Sequence, residues 1–109
     1  MKIDFSTVEE SALTHFKGGE GALHARMFSD ESNRILKGRL LSGHSIGMHT
    51  HETSAEIIYI LSGQGKVLCD GAEERVAAGD CHYCKKGSSH SLINDSAEEM
   101  TFFAVVPEQ

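Results

Sequence analysis

Tryptophan is absent from this sequence of 109 residues, and proline occurs only once. With 39% hydrophobic and 24% charged residues, the composition is typical of a globular chain and excludes a disordered or proline-rich one. No apolar run reaches membrane-spanning length, and the N-terminus carries acids early and has no apolar signal-peptide segment. We therefore expect a single domain, residues 1–109, that works in the cytoplasm without a membrane partner.

Basic residues are scarce as well. Ten Lys and Arg stand against sixteen Asp and Glu, which gives a net charge of −6 at pH 7. The densest basic spot, Lys85 and Lys86, is too short to follow a phosphate backbone. The charge balance therefore argues against nucleic acid as a partner.

The chain has three cysteines, Cys69, Cys81 and Cys84, and an odd number does not suit a disulfide framework. The spacing Cys81-x-x-Cys84, with His82 between, could indicate a redox or zinc site. The segment is a short strand entering a turn, however, and nothing there would activate a thiolate. We interpret these cysteines as ordinary small strand residues and predict no disulfide between Cys81 and Cys84.

Short runs of β-branched and aromatic residues, separated by glycine-rich turns, make up most of the chain. The predicted strands are 22–29, 34–42, 56–61, 66–69, 73–77, 81–84, 90–93 and 100–106. No long helix is predicted, and residues 1–20 are polar and irregular, which suggests an arm packed across the barrel or a partner subunit. Eight or nine short strands of this kind predict an all-β sandwich or barrel.

Two histidines one residue apart, His49 and His51, precede the strand that begins at Glu56. Successive side chains of a strand alternate between its faces, so the two imidazoles point the same way. An ionised carboxylate at the start of a buried apolar strand needs a partner, and a metal ion is the obvious one. This stretch therefore predicts one half of a metal site.

The spacing of these residues resembles the first motif of the cupin family, G-x5-H-x-H-x3,4-E-x6-G. The residues Gly43, His49, His51, Glu56 and Gly63 match every fixed position of that motif.

A second stretch is similar to the second cupin motif, G-x5-P-x-G-x2-H-x3-N. The residues Gly79, Gly87, His90 and Asn94 match it, while Lys85 stands where the family usually has proline. That departure affects the rigidity of a turn and not a ligand. Nine matching positions at fixed offsets make the resemblance highly specific.

The resemblance implies a double-stranded β-helix, or jelly-roll, barrel that holds one divalent transition metal per chain. The two motifs cover residues 43–94, and the family's ligands carry over to His49, His51, Glu56 and His90. Three imidazoles and one carboxylate suit Zn, Fe, Mn, Ni or Cu and are too nitrogen-rich for Ca or Mg. On an octahedral ion they leave two adjacent positions open for water, dioxygen or a bidentate substrate, whereas tetrahedral Zn would be closed.

Three kinds of function remain open, because cupins host many chemistries. The first is a metalloenzyme, of oxygenase, decarboxylase or isomerase type, that acts on a small polar or oxo-substituted molecule and uses Glu56 in catalysis. The second is a non-catalytic small-molecule binding or sensor protein, although no helix-turn-helix segment fits in this chain. The third is a structural barrel that retains a metal without turnover.

The strand 56–61 is apolar on both faces, so both should be covered. Its alternation predicts that Ile58 and Ile60 line the barrel lumen with Glu56 and that Tyr59 faces packing or a subunit interface. Together with the resemblance, this predicts a homodimer.

Overall fold

A computed structural model describes all 109 residues of the chain, which form ten strands and two short 3-10 helices. Neither helix is long and apolar enough to cross a membrane. The helices are η1 (Phe5–Thr7) and η2 (Phe16–Gly18), and the strands are β1 (Ser11–Thr14), β2 (Ala22–Ser29), β3 (Asn33–Leu40), β4 (His49–Thr50), β5 (Glu56–Ser62), β6 (Gln64–Cys69), β7 (Ala72–Ala77), β8 (Cys81–Cys84), β9 (Ser89–Ile93) and β10 (Met100–Pro107).

The strands form two antiparallel sheets. One sheet has six strands in the order β1-β2-β3-β10-β5-β8, and the other has four in the order β4-β9-β6-β7. The last strand, β10, pairs with both β3 and β5 and so lies in the middle of the larger sheet. The two sheets close over one core, and the predicted jelly-roll barrel is confirmed.

The core lies between the inner faces of the two sheets, where the alternation of each strand places its apolar side chains. Its largest fully buried apolar members are Phe102, Leu23, Leu40, Ile58, Ile60, Leu92, Met100 and Val67.

Gly38 makes room for the central ring of this core. Gly38 pairs directly with Phe102, and a β-carbon at this glycine would lie 2.5 Å from the Phe102 ring. The tip of the ring therefore packs against bare backbone, and the same ring borders on the cavity described below.

The N-terminal segment lies across its own barrel. The ring of Phe5 packs edge-on against Phe103, with the centroids 6.3 Å apart, and Arg39 makes two hydrogen bonds with Glu10, of 2.8 and 3.0 Å. Residues 11–14 form the edge strand β1, which the sequence did not predict. This short polar strand shows no apolar alternation, and it is recruited by the free edge of β2.

Candidate metal centre

Three strands bring the four predicted ligand residues together. His49 lies in β4 and pairs directly with His90 of β9, while His51 follows β4 and Glu56 begins β5. Glu56 is 7% exposed and His90 only 1%. The group therefore joins residues of both sheets at one buried point.

The donor atoms of these residues converge. The Nε2 atom of His51 lies 3.1 Å from Nε2 of His49 and 3.0 Å from Nε2 of His90. The Oε1 atom of Glu56 lies 3.1 Å from Nε2 of His51, 2.9 Å from that of His90 and 3.9 Å from that of His49. Donors held about 2.1 Å from one octahedral ion are about 3.0 Å apart at right angles and about 4.2 Å apart across it. These distances fit four donors around a single ion.

Hydrogen bonds on the outer side of the rings orient them. The Nδ1–H group of His49 donates to the carbonyl oxygen of Gly47 over 2.8 Å. A carbonyl oxygen only accepts, so Nδ1 carries the proton and Nε2 presents a lone pair to the cluster. On the other ring, Nδ1 of His51 lies 3.0 Å from Oγ of Ser54. Such outer partners fix the orientation of metal-binding imidazoles in proteins.

The turn at the position where Lys85 replaces proline also supports the cluster. The amide of Ser88 donates to the carbonyl oxygen of Lys85, which closes the turn. Two further backbone hydrogen bonds join this turn to His51. The Gly87 amide donates to the His51 carbonyl oxygen over 2.6 Å, and the His51 amide donates to the Ser88 carbonyl oxygen over 3.0 Å. The turn therefore holds the backbone of His51 although proline is missing.

The protonation states of the buried groups suit metal binding. Burial alone would raise the pKa of the Glu56 carboxyl, but the three imidazoles of His49, His51 and His90 around it outweigh burial and hold this pKa well below its usual range. Burial also lowers the pKa of His90, which favours the neutral ring. An ionised carboxylate and a neutral imidazole are the forms that coordinate a metal ion.

The cluster opens into a cavity of about 280 Å³, on which His49, His51 and Glu56 border. Such a volume suits a small molecule of few heavy atoms. Two cations, Lys17 and Arg34, also border on the cavity. Its hydrophobic lining consists of Phe16, Leu23, Met27, Leu36, Ile46, Phe102 and Val106.

The expectation that Ile58 and Ile60 line the lumen is wrong. Both face inward, with 1% and 0% exposure, but they pack in the core beside their cross-strand neighbours His82 and Phe102 and do not border on the cavity. The apolar wall comes mainly from β2, β3 and β10, and thirteen of the twenty lining residues are not hydrophobic.

The cysteines form no reactive pair in the Cys81-x-x-Cys84 segment. Cys81 is exposed and Cys84 is buried, because they lie on opposite faces of β8. Cys84 instead lies near Cys69 and His82, with their possible ligand atoms within 4.8 Å of one another. Burial and, to a smaller extent, the nearby Cys69 raise the pKa of the Cys84 thiol to about 12. The thiol therefore stays protonated at neutral pH. This agrees with their interpretation as small strand residues.

His82 is the residue near the centre that the sequence did not single out. It is 4% exposed, and its Nε2 atom lies 3.0 Å from Nδ1 of His90. The available signal was its alternation with Cys84 on the inner face of β8, since a buried imidazole requires polar partners.

The family follows from a direct comparison. The profile of the Cupin domain family matches residues 36–106, a range that contains all four clustered residues. The chain belongs to the cupin domain family.

A sequence and a solved structure from Thermotoga maritima are both similar to this chain. This cupin is 30% identical over 112 residues to an oxalate-binding protein, and the match covers 97% of this chain and 93% of that protein. Its fold matches the crystal structure of a predicted oxalate decarboxylase from the same organism with a TM-score of 0.93, over the full length of both chains and with 28% sequence identity. The cupin domain of Cnp3 from Schizosaccharomyces pombe has the same fold, with a TM-score of 0.81 at 14% identity, covering this chain fully and 74% of that one.

Proposed function

We propose that this cupin binds one divalent transition metal through His49, His51, Glu56 and His90 and acts as a metalloenzyme on a small dicarboxylate of the oxalate class. The observation that carries the proposal is the convergence of three imidazole nitrogens and one carboxylate oxygen, about 3 Å apart, beside a small cavity. A nitrogen-rich set of this kind suits Mn, Fe, Ni, Cu or Zn.

The substrate class rests on the small volume of the cavity and on the likeness to the Thermotoga sequence and structure. When bound, the metal would act as a Lewis acid toward a chelating carboxylate. The metal would supply the main attraction for the dianion, Lys17 and Arg34 would add two cationic partners, and the apolar wall around Phe102 would exclude water from it. Among the reaction types open to a cupin, decarboxylation is the one that this likeness favours.

A second candidate is binding without turnover. One observation favours it: the carboxylates of Asp30, Glu31 and Glu108 border on the cavity, but all three residues are exposed, and Glu56 is the sole buried acid there. A decarboxylase must deliver a proton to the carbon that loses carbon dioxide, and no buried acid other than Glu56 lines the cavity to do so.

The test is a calorimetric titration of oxalate into protein loaded with Mn, Fe, Ni, Cu or Zn, run beside an assay for formate and carbon dioxide. We expect metal-dependent oxalate binding and, with one of these metals, turnover. Apoprotein serves as the control. Tight binding without product for every metal would establish the second candidate, and absence of metal-dependent binding would overturn both.

We further propose that two copies pair through the outer face of the larger sheet. This face exposes Ile57, Tyr59, Leu61 and Tyr83 by 39%, 44%, 43% and 53%. These side chains are neighbours on β5 and β8 and form an apolar patch of a kind that monomers rarely leave open. A cytoplasmic location is part of the same proposal, since all three cysteines are free thiols in the structure.

A further inference from the structure

A chain of hydrogen bonds leads from the protein surface to the back of the candidate metal centre. Oε1 of Glu74 lies 2.9 Å from Nδ1 of His82, and Nε2 of His82 lies 3.0 Å from Nδ1 of His90. Glu74 is exposed on β7, whereas His82 of β8 and His90 of β9 are 4% and 1% exposed. The chain thus connects one largely solvated carboxylate with a buried ring of the cluster.

The direction of these hydrogen bonds follows from the acid at the outer end. An ionised carboxylate can only accept a hydrogen bond. Nδ1 of His82 therefore carries a proton, and its N–H group donates a hydrogen bond to Glu74. A neutral His82 then has a bare Nε2, which can only accept, and the donor to it is Nδ1–H of His90. His90 is left with a bare Nε2, and this is the atom that lies 2.9 Å from Oε1 of Glu56 in the cluster.

The packing also fixes the plane of the His90 ring. The ring centroids of His82 and His90 lie 5.2 Å apart and their planes are inclined by 28°, so the two hydrogen-bonded rings meet edge to edge and close to one plane. His82 is itself held in β8 beside its cross-strand neighbour Ile58, a fully packed core residue. His90 therefore has little freedom to turn its Nε2 atom away from the cluster.

We propose that His82 and Glu74 are positioning residues that select the tautomer and the orientation in which His90 binds the metal. This rests on the proposed function, because it requires His90 to be a ligand. The negative charge of Glu74, passed through His82, also makes Nε2 of His90 a stronger donor to a metal ion. Neither residue is a fixed position of the two motifs: His82 falls at a variable position of the second, and Glu74 lies between the two.

The test measures zinc and cobalt affinity by competition with a chelator. His82→Phe keeps a ring of similar size but cannot accept from His90, and we expect it to weaken metal binding by about 10–100-fold. His82→Gln restores an acceptor oxygen and should recover most of this loss. Glu74→Gln removes the charge of a largely exposed group, so its loss should be smaller, up to about fivefold.

Glu73→Gln is the matched control. It removes the same charge from the adjacent residue of β7, whose side chain pairs with Lys66, whereas the hydrogen bond to His82 comes from Glu74. We expect wild-type affinity for this variant. A second readout is the nitrogen-15 spectrum of the imidazoles in the zinc-loaded wild type, where His82 should show a protonated Nδ1 and a bare Nε2.

The outcomes separate this inference from the proposed function. A wild type that binds no metal overturns the proposed function. A wild type that binds metal, together with His82→Phe and Glu74→Gln variants of unchanged affinity, overturns the positioning role alone. Should His82→Phe fail to fold, the His82 tautomer in the wild type and the Glu74→Gln affinity still decide, and a protonated Nε2 on His82 would contradict the inference.

Discussion

The Oε1 atom of Glu56 lies 2.9 Å from the Nε2 atom of His90, and the two residues belong to different sheets. Glu56 begins β5 in the larger sheet, and His90 lies in β9 of the smaller one. A metal ion bound to both would therefore cross-link the two halves of the barrel. Because these residues are far apart in the unfolded chain, the ion would bind the folded barrel more tightly and so raise its free energy of unfolding.

We predict that metal raises the melting temperature of the purified apoprotein. A ligand present at 100 times its dissociation constant stabilises the folded state by about 2.7 kcal/mol. His49→Ala combined with His51→Ala should remove both the bound metal and the gain. Elemental analysis and thermal unfolding measure the two effects, and a wild type that holds no metal after reconstitution with Fe, Mn, Ni, Cu and Zn would refute the prediction.

Glu56→Gln should keep the fold, retain some metal and lose turnover. Glutamine has nearly the same shape, but Glu56 is the only anionic donor of the cluster, so the variant raises the net positive charge of the site and changes the reactivity of the metal. Circular dichroism, metal content and the product assay follow the three properties. Glu52→Gln is the control, since Glu52 is exposed and does not border on the cavity. Equal turnover of Glu56→Gln and wild type would exclude a catalytic role.

Local spacing predicted the strands and one half of the cluster, while the jelly-roll barrel and the inclusion of His90 were implied by the resemblance to the cupin motifs. The bounds of β2 and β8 follow from their own alternation, and the offsets of His49, His51 and Glu56 fix which side chains share a face. The pairing of His49 with His90 needs only that the two strands be neighbours.

Features that depend on packing between distant strands could not be predicted in this way. Ile58 faces inward as expected, but whether an inward residue meets core or cavity depends on how the sheets close around it. His82 lies beside His90 only because β8 and β9 bring the two residues together from opposite sheets. The edge strand β1 likewise forms because β2 offers a free edge.

The stability of the barrel should fall on the acid side. The pKa of Glu56 is lowered from its ordinary value of 4.5, so its contribution is present above that pH and is lost as the pH falls through the folded-state pKa. The pKa of His90 is lowered from 6.5, so the unfolded chain binds this proton more readily and acidification below 6.5 favours unfolding. We therefore expect a plateau of apoprotein stability near neutral pH and a decline below it.

Acid should also release the metal, because protons compete with it for the imidazoles. The metal-dependent gain in melting temperature should be present at neutral pH and should vanish as the pH passes below about 6. Thermal unfolding with and without metal across this range measures it, and the double variant His49→Ala, His51→Ala provides the control. A gain that persists unchanged to about pH 4 would count against histidine ligation.

Tyr59→Lys should convert the proposed dimer into a monomer. Tyr59 lies at the centre of the exposed apolar patch on β5 and is 44% exposed, so a lysine there is tolerated in a monomer. In a dimer, two copies of the charge would approach each other across a dehydrated interface, and an unpaired buried charge costs several kcal/mol. Analytical ultracentrifugation should show a species of twice the chain mass for wild type and of one chain mass for the variant.

Ala77→Lys is the control, because Ala77 is exposed on the smaller sheet, and this variant should remain a dimer like the wild type. A monomeric wild type, or a Tyr59→Lys variant that remains dimeric, would mean that this face is not the interface.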